Sequence, residues 1–180
     1  MDDMKYALKG IKYAAFASQE TPCYRASITR DGKKIGEVSN DGHGGSDMFS
    51  FTGGNRGDEA SAFQKFCLDW YEARPESKGE ISSSLDGAYR YMAAMESWAG
   101  SQLDAFLNAR AMKRMIAKSK MRGPFYRFVG DDVGTWRGLT RPAPTMSLSM
   151  MRIAVENWNT KDGGKRVLAE FINDGKHIKL

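Results

Sequence analysis

Histidine and cysteine, the side chains that most often carry nucleophilic, metal and acid–base chemistry, occur only at His43, His177, Cys23 and Cys67. A structural zinc site takes about four such ligands, and no HxH, HxxxH or CxxC spacing is present. No metal site and no cofactor is therefore expected. Any Ser–His–Asp or Cys–His arrangement would have to use His43 or His177, and His177 lies in a polar stretch near the end, where chains commonly fray. Cys67 sits among Phe63, Phe66, Trp70 and Tyr71, where a reduced thiol behaves as a small hydrophobe. The triplet Glu76-Ser77-Lys78 has the E-x-K pattern of metal-dependent nucleases, but it falls in a Ser/Gly loop after Pro75 and reads as a solvated turn. The lack of a convincing catalytic constellation favours a binding protein over an enzyme and assigns no catalytic residue.

The most unusual local feature is the loop Asn40-Asp41-Gly42-His43-Gly44-Gly45. Successive glycines let a backbone approach a ligand closely, and consecutive N–H groups can cradle an anion. The loop matches neither phosphate fingerprint and leads toward a strand, not a helix N-terminus. Two readings stay open. One is a wide turn that needs positive φ at several positions. The other is a ligand or partner loop with Asn40, Asp41 and His43 as its polar groups, which in an enzyme would be joined by Glu20.

The basic region is more extended. Between Ala105 and Gly130 there is no acid, while Arg110, Lys113, Arg114, Lys118, Lys120, Arg122 and Arg127 all occur. Arg110, Arg114 and Lys118 recur at i, i+4, i+8 and share one helical face. Leu103, Phe106 and Leu107 project on the side later taken by Arg110 and Arg114, whereas Met112, Met115 and Ile116 lie opposite. Phe125, Tyr126, Phe128 and Trp136 interleave with Arg127 and Arg137 and offer stacking surfaces. The cations either solvate a surface helix, or they bind an anionic partner through Arg110, Lys113, Arg114, Lys118, Lys120, Arg122, Arg127 and Arg137.

These residues must be positioned by elements of both periodicities. Tyr6–Leu8, Ile11–Phe16, Cys23–Arg30, Lys33–Val38 and Met48–Phe51 read as strands, with Asp31-Gly32 as a tight turn and a bulge at Gly36. Asp58 is the expected N-cap of a helix whose stripe is Phe63, Phe66, Cys67, Trp70 and Tyr71, ending at Pro75. Residues 76–84 read as a loop, 85–99 as a second helix, and 102–121 as a third capped by Ser101. A hairpin follows (125–129 and 135–139 around Gly130–Gly134), then the breaker Arg141–Pro144, a helix over 146–158 and a final strand, 167–172. The expectation is one α+β domain over 1–180, divided into a β-rich part (1–55), a helical part (58–121) and a closing part (124–180). One antiparallel sheet from the N-terminal strands and the later hairpin would pack on three to four helices.

Residues 1–100 carry 12 Lys/Arg against 15 Asp/Glu, and 101–180 carry 15 against 7, so the net +5 resides in the second half. That split points to an anionic partner there. Met1-Asp2-Asp3 opens no signal-like segment, and no apolar run reaches the roughly 18 residues a membrane span needs, so cytoplasm without membrane contact is expected.

The string Tyr13-Ala-Ala-Phe16-Ala-Ser18-Gln-Glu20-Thr21, then Asp31-Gly32-Lys33-Lys34, then Val38-Ser39-Asn40-Asp41-Gly42-His43-Gly44-Gly45, resembles a group of uncharacterised proteins of bacteriophages and plasmids. In that group an F-x-S-E-E-T-like segment precedes a D-G-K hairpin and an N-D-G-x-G-G loop; Gln19 stands where an acid is commoner. Gly130 to Arg137 is similar to the group as well. The resemblance implies a mobile-element setting in a bacterial host and no particular activity. In that setting the expected function is a non-enzymatic accessory protein that binds and modulates a host or defence nucleoprotein system, as an anti-CRISPR-like inhibitor does. A direct DNA- or RNA-binding accessory protein and a small enzyme built on Asp41–Gly45 are the alternatives.

Overall fold

Alternating apolar residues in the first 51 positions build an antiparallel sheet. The computed structural model describes residues 6–74, 87–131, 135–138 and 146–180. Strands β1 (Tyr6–Tyr13), β2 (Tyr24–Arg30), β3 (Lys33–Asn40) and β4 (Met48–Phe51) pair in sequence order. At the Asp31-Gly32 turn both residues take positive φ, 50° and 82°, as a type I′ hairpin requires. The bulge falls one residue before the expected Gly36: Ile28 faces Gly36 and Thr29 faces Lys34, which leaves Ile35 unpaired. That extra residue brings both Ile35 and Val38 into the core. The strand expected to run through Phe16 stops at Tyr13, and Ala15–Ala17 form a 3-10 turn instead.

Helix α1 (Asp58–Glu72) buries Ala60, Phe63, Cys67 and Tyr71. Its N-cap is Gly57; Asp58, expected there, is the first helical residue, where its charge complements the helix N-terminus. Phe63 is fully buried at the centre of an aromatic cluster, with ring centroids 5.3 Å from Tyr6, 5.5 Å from Phe51 and 5.1 Å from Trp98.

The two helices expected on either side of Ser101 are one continuous helix, α2 (Gly87–Arg122). Ser101 does not cap. Its hydroxyl donates back to the Trp98 carbonyl at 2.9 Å, so it is satisfied inside its own helix. Contacts divide the chain into two compact units, Met1–Phe106 and Leu107–Leu180, and the boundary falls inside α2. In the first unit α2 buries Ala94, Met95, Trp98, Ala99 and Leu103; in the second it buries Ser119.

In the second unit β5 (Phe125–Phe128), β6 (Arg137–Gly138), β7 (Leu168–Asn173) and β8 (Lys176–Lys179) form an antiparallel sheet in the order β6-β5-β7-β8. Helix α3 (Leu148–Asp162) starts at Ser147, whose hydroxyl accepts from the Met150 N–H, and ends at Gly163 with φ 64°. Tyr126, Phe128, Met151, Val155, Leu168 and Phe171 form this core. The α+β class stands, but the strands make two sheets where a single one was expected, because the hairpin strand β5 pairs with β7. The segment expected to be a frayed tail is β8: Asp174 and Gly175 turn the chain at φ 46° and 73°, and His177 pairs with Ile172. Glu76-Ser77-Lys78, the 76–84 loop, most of the Gly130–Gly134 hairpin tip and Arg141–Pro144 lie outside the described residues. Among the described residues no helix is long and apolar enough to cross a membrane.

Candidate functional site

Arg110, Lys113, Arg114, Lys118, Lys120 and Arg122 are all exposed on the C-terminal part of α2. None of the six forms an ion pair among the described residues. Arg110 to Lys118 covers about 12 Å of helix at roughly 1.5 Å per residue. The opposite side is anchored by Ser119, fully buried, whose hydroxyl donates to the Ile116 carbonyl (2.8 Å) and accepts from the Gly175 N–H (2.9 Å). The Lys120 stem lies against Gly175, so its charge extends from an apolar support. The unit boundary sharpens the charge split: 1–106 carry 12 Lys/Arg against 16 Asp/Glu, and 107–180 carry 15 against 6.

Arg127 and Arg137 are placed differently from the other six. Arg127 donates to Glu170 Oε1 at 2.7 Å and to the Asp131 carbonyl at 3.1 Å, and His177 Nε2 lies 2.9 Å from Glu170 Oε2. Burial works against the Glu170 charge, but the hydrogen bonds from Arg127 and His177 outweigh it and hold the carboxyl below its ordinary range. Arg137 donates to both Asp131 oxygens, which keeps Asp131 below the usual carboxylate range, helped by the Phe128 N–H. Both guanidiniums thus brace the second sheet. Glu170, which completes the Arg127–His177 bridge, had no motif around it.

The Asn40–Gly45 loop is tied inward through Asn40 and the Gly42 backbone, while Asp41 and His43 remain exposed. Asn40 is buried; its Oδ1 accepts from the Gly42 N–H (2.9 Å) and the Thr21 hydroxyl (2.8 Å), and its Nδ2 donates to the Gly45 carbonyl (2.9 Å) and Asp47 Oδ1 (3.0 Å). The Gly42 carbonyl in turn accepts from the consecutive N–H groups of Gln19, Glu20 and Thr21. Asp41 accepts from the His43 N–H, and His43 Nδ1 lies 3.3 Å from Gln19 Oε1. The glycines are required twice over: Gly42 and Gly44 have φ of 90° and 87°, and a Cβ at Gly42 would stand 2.1 Å from the Ala17 carbonyl oxygen. No cradle of free N–H groups remains at Gln19–Thr21, since the loop's own carbonyl fills it.

Beside this loop a cavity of about 350 Å³ is lined by Thr21, Tyr24, Asn40, Asp47, Glu96 and Leu103, among others. The Tyr24 hydroxyl donates to Asp47 Oδ2, and Glu96 Oε1 accepts from the Asp47 N–H at 3.0 Å. Burial, then the Asp47 carboxylate, hold the Tyr24 phenol far above its ordinary range, so it stays protonated and keeps its hydrogen on Asp47. Glu96 comes from α2, 49 residues from Asp47, and no local spacing signals the pair. Burial also pushes the Cys67 thiol up, which leaves it inert as a nucleophile. No known family, curated protein or solved structure matches the chain.

Proposed function

We propose that the chain is a non-enzymatic accessory protein of a mobile element that binds a host or defence nucleoprotein, with the α2 cations on its nucleic-acid component. One observation carries this reading: six exposed cations within thirteen residues of α2 form no ion pair among the described residues. Folding alone does not account for them. Arg110/Arg114, Arg114/Lys118 and Lys118/Arg122 are like-charge i,i+4 pairs, each of which costs a helix about 0.2–0.5 kcal/mol. A polyanion converts that repulsion into attraction and gains the entropy of released counterions. Asn40 and the Gly42 carbonyl are taken up in holding the Asp41–Gly45 loop together, so the loop offers no anion cradle, which favours α2 as the nucleic-acid-facing surface. The mobile-element setting is supported by the sequence resemblance.

A tagged full-length chain, captured from its bacterial host with and without nuclease, tests the reading. The expected partner is a nucleoprotein whose recovery drops on nuclease treatment and on joint reversal of Arg110, Lys113, Arg114 and Lys118 to Glu. Recovery unchanged by the reversal contradicts it. Recovery that resists nuclease but is lost on reversal moves the anionic surface to a protein.

A further inference from the structure

Phe16 is 93% exposed, yet it does not sit on a loose segment. It is the middle residue of the Ala15–Ala17 turn, closed by Ala17 N–H to the Ala14 carbonyl (3.1 Å) and by the Ser18 hydroxyl to the same carbonyl (3.0 Å). The Cys23 N–H donates to that Ser18 hydroxyl (2.8 Å), and the Ala14 N–H to the Cys23 carbonyl (3.0 Å). From the other side, the Gly42 backbone presses against the Ala17 carbonyl, and the Gly42 carbonyl collects the next three N–H groups. The turn is thus fixed from both sides, and the ring is held out in water. A large aromatic with two side-chain torsions on a preorganised backbone loses little entropy when a partner buries it.

The surroundings specify the partner. The exposed cations Lys12 and Arg25 close the strand pair below the turn, and Arg25 is turned to Glu37 at 3.1 Å. Between them 13–24 carries no Lys or Arg, nor does 39–55, while Glu20, Asp41 and Asp47 all lie there. Glu20 and Asp41 are exposed. We infer that Phe16, with the exposed Glu20 and Asp41 on the segment and loop that its turn is tied to, is a rigid docking surface for a folded protein that offers an apolar pocket rimmed by Lys or Arg. The ring fills the pocket and the carboxylates meet the rim. This surface is independent of the α2 cations and suits a partner of opposite charge.

The test uses the full chain with the photo-crosslinker p-benzoylphenylalanine at position 16, irradiated in bacterial cells, and the crosslinked protein then purified for titration. A defined protein should crosslink. Phe16→Ala should weaken its binding by about 30-fold or more, as for a central aromatic anchor, with unfolding unchanged. Phe16→Leu should retain part of the affinity, and Glu20→Lys should weaken binding most at low salt. The inference is overturned if no protein crosslinks, if the adduct is nucleic acid, or if the purified protein binds Phe16→Ala as tightly as wild type.

Discussion

Asn40 accepts two hydrogen bonds and donates two while nearly excluded from solvent, so it does more for the loop than any residue with a chemical reputation. Asn40→Ala leaves the Gly42 N–H, the Gly45 carbonyl and the Thr21 hydroxyl without their partner. The expected cost is about 1–3 kcal/mol in urea unfolding, the cost of one stranded buried group, since the Gly42 N–H is buried while Gly45 and Thr21 reach solvent. A loss below about 0.5 kcal/mol would mean that water replaces the side chain. The sequence shows a Gly-rich loop needing positive φ, and that much is visible because Asn, Asp and Gly encode turns locally. It does not show that Thr21 and Asp47 close the network, or that Tyr24, Asp47 and Glu96 share a cavity. Those contacts depend on strand register and on a helix half a unit away in sequence.

At the scale of elements, the acid-free stretch was readable as a helix with a cation face, since both follow from i, i+4 spacing. Ser101 is of a type that caps helices, but here its hydroxyl bonds to the Trp98 carbonyl one turn earlier in the same helix. Asp174-Gly175 carried the same turn signal as Asp31-Gly32, so β8 was in principle legible; the surrounding polar residues obscured it. The like-charge spacing on α2 predicts a trade between stability and binding. Arg114→Glu puts an acid between Arg110 and Lys118, so unfolding should become harder by about 0.5–1 kcal/mol while anion binding weakens. Destabilisation instead would mean that Arg114 packs rather than repels. In the second sheet, Glu170 is held below its ordinary value of 4.5 in the folded state. Its contribution is therefore present above about pH 4.5 and lost as pH falls through the lower folded value, where the unfolded chain binds more protons. Glu170→Gln should flatten that acid limb in urea titrations between about pH 5 and 3. Parallel curves for the two proteins would show that Arg127 and His177 do not hold the charge.

On the scale of the whole molecule, charge and contacts divide the chain in nearly the same place. The acidic balance belongs to Met1–Phe106 and the basic balance to Leu107–Leu180. The charge split was plain from composition. The unit boundary was not, because a single uninterrupted helix runs through it and offers no linker to read. The proposed role of α2 is to present its cations to a nucleic acid. The most direct measurement is the salt dependence of binding between the full chain and a fluorescent duplex of about 20 base pairs, followed by anisotropy. Four cations on phosphates predict a slope of log Kobs against log salt of about −3.6, or about −2.8 for a single strand. Reversal of Arg110, Lys113, Arg114 and Lys118 to Glu should abolish binding. A slope near zero, or one the reversed protein shares, would contradict that role.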